Sequence, residues 1–177
     1  MKRRLLILGC SARKAPAAGW IPAIDRYDGP LWQTLRASEP TRNRIAVAFL
    51  SARYRFRDGS TPIENYNERM SADHADEMIA GGVNTRWPRP PRPRDPDTFG
   101  ESPAVVITSM SGFGDRPFND IALVGGHLYL RVMRSFIPEF IRLKAMTEDV
   151  TITEINDTIG LMRRRMRQWI EEENPTC

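Results

Sequence analysis

The chain has 177 residues, 41% of them apolar and 27% charged, and its 26 basic and 22 acidic side chains leave a formal net charge of +4. That length suits one domain with a real core, expected over residues 1–177. No apolar run approaches the roughly 20 residues that span a bilayer, and the stretch from Met1 to Leu8 has too few aliphatics for a secretory signal. Cys10 and Cys177 lie at opposite ends, which argues against a disulfide framework. The expectation is a soluble cytoplasmic protein with no membrane partner.

Only Lys2, Lys14 and Lys144 are lysines, so 23 of the 26 cations are arginine. A genome rich in G and C would produce this bias without functional meaning. Arginine is also the residue that forks onto phosphates and stacks on bases. What matters is where the arginines gather.

Arg4 to Leu8 is a short apolar run ending at Gly9-Cys10-Ser11, and predicts a buried strand that delivers a loop. Gly29 to Ala37 reads as a helix. Ile45 to Leu50 predicts a second strand, ending at Ser51-Ala52. Pro62 to Ala80 reads as a helix stopped by Gly81-Gly82. Ala104 to Thr108 predicts a third strand, ending at Ser109-Met110-Ser111-Gly112. Asn119 to Phe136 reads as a helix broken by Pro138. Thr151-Ile152-Thr153-Glu154 fits a capping box that opens a final helix, with Ile155, Ile159, Met162, Met166, Trp169 and Ile170 at helical spacing. Arg163, Arg164, Arg165 and Arg167 would be its solvated face. The alternation predicts a three-layer α/β fold, a mostly parallel central sheet flanked by helices. Small polar residues at the strand ends would then rim a ligand crevice.

Residues Arg86 to Pro96 contain five prolines in eleven positions, which forbids helix and interior strand. An extended loop of polyproline II character over 86–96 would align Arg86, Arg89 and Arg92 along one edge, with Arg94 close by. Such a stiff row of guanidinium groups suits a phosphate backbone, and Trp87 offers a surface for stacking a base. A surface insertion or a proline-rich ligand for another protein is the alternative.

Chemistry-bearing residues gather at the predicted strand ends. Gly9-Cys10-Ser11-Ala12-Arg13-Lys14 has the small residues and cations of an anion site, but not P-loop spacing. A nucleophilic Cys10 would need His74 or His127 as its base; a packed cysteine is the alternative. Two histidines and two distant cysteines do not supply a Cys/His zinc site. Asp28 precedes a predicted helix, where a carboxylate either caps the helix or steadies a cation. Glu64 and Glu68 would share a helical face, with Tyr66 and Asn67 able to clamp or read a base. Gly125-Gly126-His127 would interrupt a helix, at about 1 kcal/mol per glycine, and implies close approach of another group.

Four pieces occur in order: Gly9-Cys10-Ser11-x-x-Lys14, Tyr27-x-Gly29-Pro30-Leu31-Trp32, Ser51-Ala52-Arg53-Tyr54 and Ile63-x-x-Tyr66-Asn67. They resemble a family of small proteins whose pattern reads CSxxK, YxGxLF, SAxYG and IxxYD. The first piece is also similar to the CSxxK loop in the C-terminal region of archaeosine synthases, and a Gly-Gly-x-x-Tyr at Gly125 to Tyr129 adds a weaker match. The resemblance implies a uracil-DNA-glycosylase-like fold and work on nucleobases. It extends to antiphage DNA glycosylases that remove glucosylated hydroxymethylcytosine from viral DNA and leave abasic sites. The chain departs from the pattern at Arg55, where the family has glycine, and at Asn67, where it has aspartate. Its first loop also lacks the water-activating carboxylate or asparagine of uracil-DNA glycosylases.

The expectation that follows is a DNA glycosylase acting by base flipping on double-stranded phage DNA with modified bases, with no cofactor and no metal. Asp28, Asn67 and Glu64 are the candidate catalytic residues. Cys10, Ser11, Lys14, Tyr27, Ser51, Tyr54, Tyr66 and His127 are expected to bind the base or its flanking phosphate. Arg13, Arg86, Trp87, Arg89, Arg92 and Arg94 are expected to face DNA. The alternatives are a nucleoside or base-exchange transferase of modified-purine metabolism and a non-catalytic nucleic-acid-binding module.

Overall fold

Leu5, Leu6, Ile7 and Leu8 are each no more than 1% exposed. The pleat sends successive side chains to opposite faces, and accordingly Leu5 and Ile7 enter one core cluster while Leu6 and Leu8 enter another. The strand they form, β1 (Arg4–Gly9), must therefore be covered on both sides. A computed structural model describes residues 2–87 and 100–172 of the protein.

The elements after β1 are β2 (Ile21–Pro22), α1 (Ala23–Arg26), α2 (Pro30–Ser38), β3 (Ala46–Ser51), β4 (Arg55–Asp58) and β5 (Pro62–Ile63). They continue with α3 (Ala72–Gly81), α4 (Pro103–Met110), β6 (Phe118–Val124), α5 (His127–Arg142), β7 (Met146–Ile155) and α6 (Ile159–Glu171). The central sheet has the order β4-β3-β1-β6-β7. Its β3, β1, β6 and β7 are parallel, and β4 pairs antiparallel with β3 at one edge. β2 and β5 form a separate antiparallel pair. The chain leaves β1 for β3 on one side and later enters β6 on the other. The carboxyl ends of β1 and β6 thus mark the topological switch point, where open α/β sheets place their ligand crevice.

Helices α3, α4 and α5 cover one face, contributing Met78, Ile107, Phe136 and Phe140 to the core. Helices α2 and α6 cover the other with Trp32, Leu35, Met162, Met166 and Trp169. The fold is thus α/β, with a mostly parallel central sheet flanked by helices. Among the described residues no helix is long and apolar enough to cross a membrane.

Several local expectations are corrected. Ala104 to Thr108 is not a strand but the body of α4, so Ser109 to Gly112 do not rim the sheet's carboxyl edge. Ser102 caps this helix by accepting from the Val105 N–H, and Pro103 opens it; a five-residue apolar run does not distinguish a buried strand from a buried helix. The third buried strand is β6, which lies inside the segment expected to be helical from Asn119. Gly125-Gly126 does not interrupt a helix but turns β6 into α5.

Pro138 does not break α5, which runs through it. It stands on the exposed side, where a carbonyl freed of its N–H partner can bond water. Thr151 to Glu154 belong to β7 rather than to a capping box. The segment from Pro62 is helical only from Ala72, so Glu64 and Glu68 do not share a helical face.

Part of the arginine bias is structural. Arg4, Arg26, Arg55 and Arg57 are all buried. Arg4 bonds Asp120 Oδ2 at 3.1 Å and stacks its guanidinium 3.9 Å from the Trp169 ring centre. Among the described residues Arg26 has no carboxylate partner; its guanidinium donates to the carbonyls of Ala15 (2.8 Å), Ala17 (2.6 Å), Gly19 (2.6 Å) and Ile63 (3.4 Å). A planar five-donor fork can brace a loop in this way, where an ammonium could not.

Candidate functional site

The four ordered pieces converge at the carboxyl end of β1. Trp32 Nε1 donates to the Gly9 carbonyl at 3.0 Å, and the Cys10 N–H donates to Leu50 O at 2.9 Å, which fixes where β1 ends. Ser11 packs against Gly29 so closely that a Cβ there would stand 2.2 Å from Ser11 Oγ. Lys14 bridges to Tyr27 in antiparallel fashion. Ser51, fully buried, accepts from the Tyr54 N–H at 2.8 Å. Tyr66 follows β5 and meets Tyr27, Oη to Oη at 2.6 Å.

The result is an aromatic cage with a polar lining. Tyr27 packs at 4.9 Å on Trp32 and 5.4 Å on Phe49, and Tyr54 meets Tyr66 edge-on at 5.4 Å. The Lys14 ammonium stands 4.2 Å from the Tyr66 ring centre and donates to Ser11 O at 3.0 Å. Cys10 Sγ lies 3.0 Å from Tyr129 Oη. Cys10, Ser11, Lys14 and Tyr129 are partly exposed, so the cage opens to solvent on their side.

Burial pushes the Tyr27, Tyr66 and Tyr129 phenols well above the usual range, and the neighbouring Cys10 raises each further. All three therefore act as neutral hydrogen-bonding groups and not as bases. Burial holds the Lys14 ammonium below the usual lysine range; Cys10 opposes that shift and Arg26 adds to it. Desolvated in this way, Lys14 is the group in the cage best able to deliver positive charge or a proton to a bound ring.

The candidate carboxylates stand differently from one another. Asp28 sits at the rim, paired with Arg36 at 2.8 Å and Arg13 at 3.1 Å. It does not cap α2, whose N-cap is Gly29 with no side-chain bond. Glu64 pairs with Arg53 at 2.8 Å, and Asn67 is exposed one position beyond Tyr66. His127 is exposed on the first turn of α5, beside the glycine pair. Arg55, standing where the pattern has glycine, adopts a left-handed backbone at φ 59°.

The DNA-facing expectation is corrected in one place. Trp87 is 6% exposed, bridges to Glu101 and carries the Arg55 guanidinium 4.3 Å from its ring centre, so it is packed and offers no stacking surface. Arg86 is exposed. Arg89, Arg92 and Arg94 lie outside the described residues. Among the described residues no cluster of three or more His, Cys, Asp or Glu could hold a metal ion.

Tyr129, Arg26 and Trp20 were not among the expected site residues. Tyr129 was signalled by its place in Gly-Gly-x-x-Tyr. Arg26 braces the loop of residues 15–19, and Trp20 follows that loop at 60% exposure with its ring 6.4 Å from Tyr54. Comparison with family models, with curated proteins and with solved structures finds no match to this chain.

Proposed function

We propose that this protein is a DNA glycosylase of the uracil-DNA-glycosylase-like fold, excising a modified base such as glucosylated hydroxymethylcytosine of phage DNA. The observation that carries this reading is the cage of neutral phenols around Lys14 at the switch point. Such a lining suits a flat, uncharged ring with hydrogen-bonding edges, which is what an extruded base presents.

In this reading the base leaves the stack and enters beside Tyr66, while Trp20 stacks at the mouth. The Cys10, Tyr66 and Tyr129 hydrogen-bonding groups hold the base edge. As the bond from C1′ to the base nitrogen breaks, its electron pair passes to the base, and Lys14 offsets the charge that builds there. The sugar gains oxocarbenium character, which the Asp28 carboxylate at the rim steadies. Water adds to C1′, oriented from the side of Asn67 and Glu64, and its proton ends on the departing base. The products are free base and an abasic site.

The experiment is incubation with phage DNA carrying modified bases, read as alkali-labile sites. Abasic sites formed by the wild type and lost in Lys14→Met support the reading. Tight DNA binding with no abasic site on any modified substrate overturns it in favour of a binding module. Base exchange on free nucleosides alone overturns it in favour of a transferase.

A further inference from the structure

The opposite edge of the sheet carries a second feature that the crevice does not use. The amino ends of β1, β3, β6 and β7 surround a cavity of about 710 Å³, within the roughly 300–1,000 Å³ of small-ligand pockets. Lys2, Arg3, Arg4, Arg44 and Arg116 line it, and among the described residues no acidic one does. Nearby carboxylates answer only some of this charge: Asp120 pairs with Arg4 at 3.1 Å and Lys2 at 3.8 Å, and Glu39 pairs with Arg44 at 2.5 Å.

Arg3 and Arg116 form no ion pair among the described residues. Arg3 Nη2 donates to Met110 O at 2.6 Å, and its guanidinium rests 4.4 Å from the Phe118 ring centre, which holds it in place. Its other terminal nitrogen, Nη1, is buried without a hydrogen-bond partner among the described residues, as is the Oγ1 of Thr147, another residue that lines the cavity. A buried donor without a partner is costly, and guanidinium donors are answered best by a phosphate or carboxylate oxygen. Burial, and then the charge of Arg116, hold Arg3 below the usual arginine range.

We propose that this cavity is a phosphate-binding site, gripped by Arg3 and Arg116 and completed by Thr147 and Lys2. Arg3 and Arg4 are held by their partners, and among the described lining residues the one aromatic ring, Phe118, is fully buried beneath Arg3. The site therefore reads phosphate and not a base. The phosphate belongs either to a small phosphorylated molecule or to a nucleic-acid backbone, and both present the same oxygens. The site stands independently of the glycosylase reading, because its residues are on the far edge from Lys14 and Tyr66.

The test is equilibrium binding of pyrophosphate to the full chain at fixed ionic strength, with a single-stranded oligonucleotide as competitor. Arg116 is exposed, so Arg116→Glu leaves the fold in place, and Arg3→Gln gives a second variant. Saturable pyrophosphate binding, weakened about tenfold or more by Arg116→Glu and unchanged by Lys14→Met, is expected. Competition by the oligonucleotide that is lost with Arg116→Glu assigns the phosphate to a nucleic-acid backbone. Its absence assigns a small phosphorylated molecule. Failure to bind pyrophosphate, or binding that Arg116→Glu and Arg3→Gln leave intact, overturns the proposal.

Discussion

Tyr129 Oη reaches to 3.0 Å from Cys10 Sγ because two glycines leave room for its ring. A Cβ on Gly9 would stand 3.2 Å from the Tyr129 ring, and one on Gly125 would stand 3.1 Å from Tyr129 Cβ. The glycines end β1 and follow β6, so the tyrosine lies across the switch point itself. The Gly-Gly-x-x-Tyr segment is thus a device for setting a phenol over a strand end.

Gly9→Ala and Gly125→Ala are each expected to destabilise by about 1–3 kcal/mol through overpacking. Combining Gly9→Ala with Tyr129→Ala should cost clearly less than the two single changes added together, because the clash is removed. Urea denaturation of the four proteins in that cycle checks this, and strict additivity would contradict the contact.

Arg26→Met is expected to destabilise by about 2–4 kcal/mol, since it leaves carbonyls of the 15–19 loop without their donor. The same change should raise proteolytic cleavage near Trp20 under native conditions. A variant as stable and as resistant as the wild type would show that the brace is idle.

Stability should fall above about pH 10, and the sign follows from the phenols. Tyr27, Tyr66 and Tyr129 are held above their ordinary range, foremost by burial. Their contribution is complete below the unfolded-state value near 10 and is lost beyond it, at up to about 1.4 kcal/mol per pH unit for each group. Lys14 is shifted the other way and regains stability as pH approaches the ordinary lysine value, but it is one group against three. Alkaline titration followed by both phenolate absorbance and circular dichroism checks this. These three phenols should ionise only as the fold is lost; their ionisation in the folded protein, assigned with single Phe variants, would contradict the cage.

Lys14→Met is expected to lower base release by about 10²–10³-fold while the circular dichroism spectrum stays unchanged. Trp20→Ala should weaken binding to modified DNA with no change in stability, since its ring is largely exposed. Undiminished base release in Lys14→Met would remove the lysine from the mechanism.

Buried strands were legible where an apolar run ended on small polar residues, as at Leu8 before Gly9 and at Leu50 before Ser51. The helix containing Met162, Met166 and Trp169 was legible because its buried face repeats at helical spacing. Val105 to Ile107 misled because a short apolar run carries no periodicity, and β6 was hidden by the long amphipathic α5 that follows it. For the site, Cys10, Ser11, Lys14, Tyr27, Ser51, Tyr54 and Tyr66 were legible one by one, and the structure gathers them. Their pairing was not: Tyr27 and Tyr66 are 39 positions apart, and only the fold brings their hydroxyls to 2.6 Å. The arginine excess was ambiguous for a similar reason, since nothing local separates Arg26, fully buried, from the exposed Arg13.

The most direct measurement is mass-spectrometric quantification of free base released from DNA containing glucosylated hydroxymethylcytosine, alongside the aldehydes formed on the same DNA. The glycosylase reading predicts that base and aldehyde appear in equal amounts with the wild type and that both disappear with Lys14→Met. DNA that is bound but releases neither, or base that is released while another base takes its place on the sugar, would contradict it.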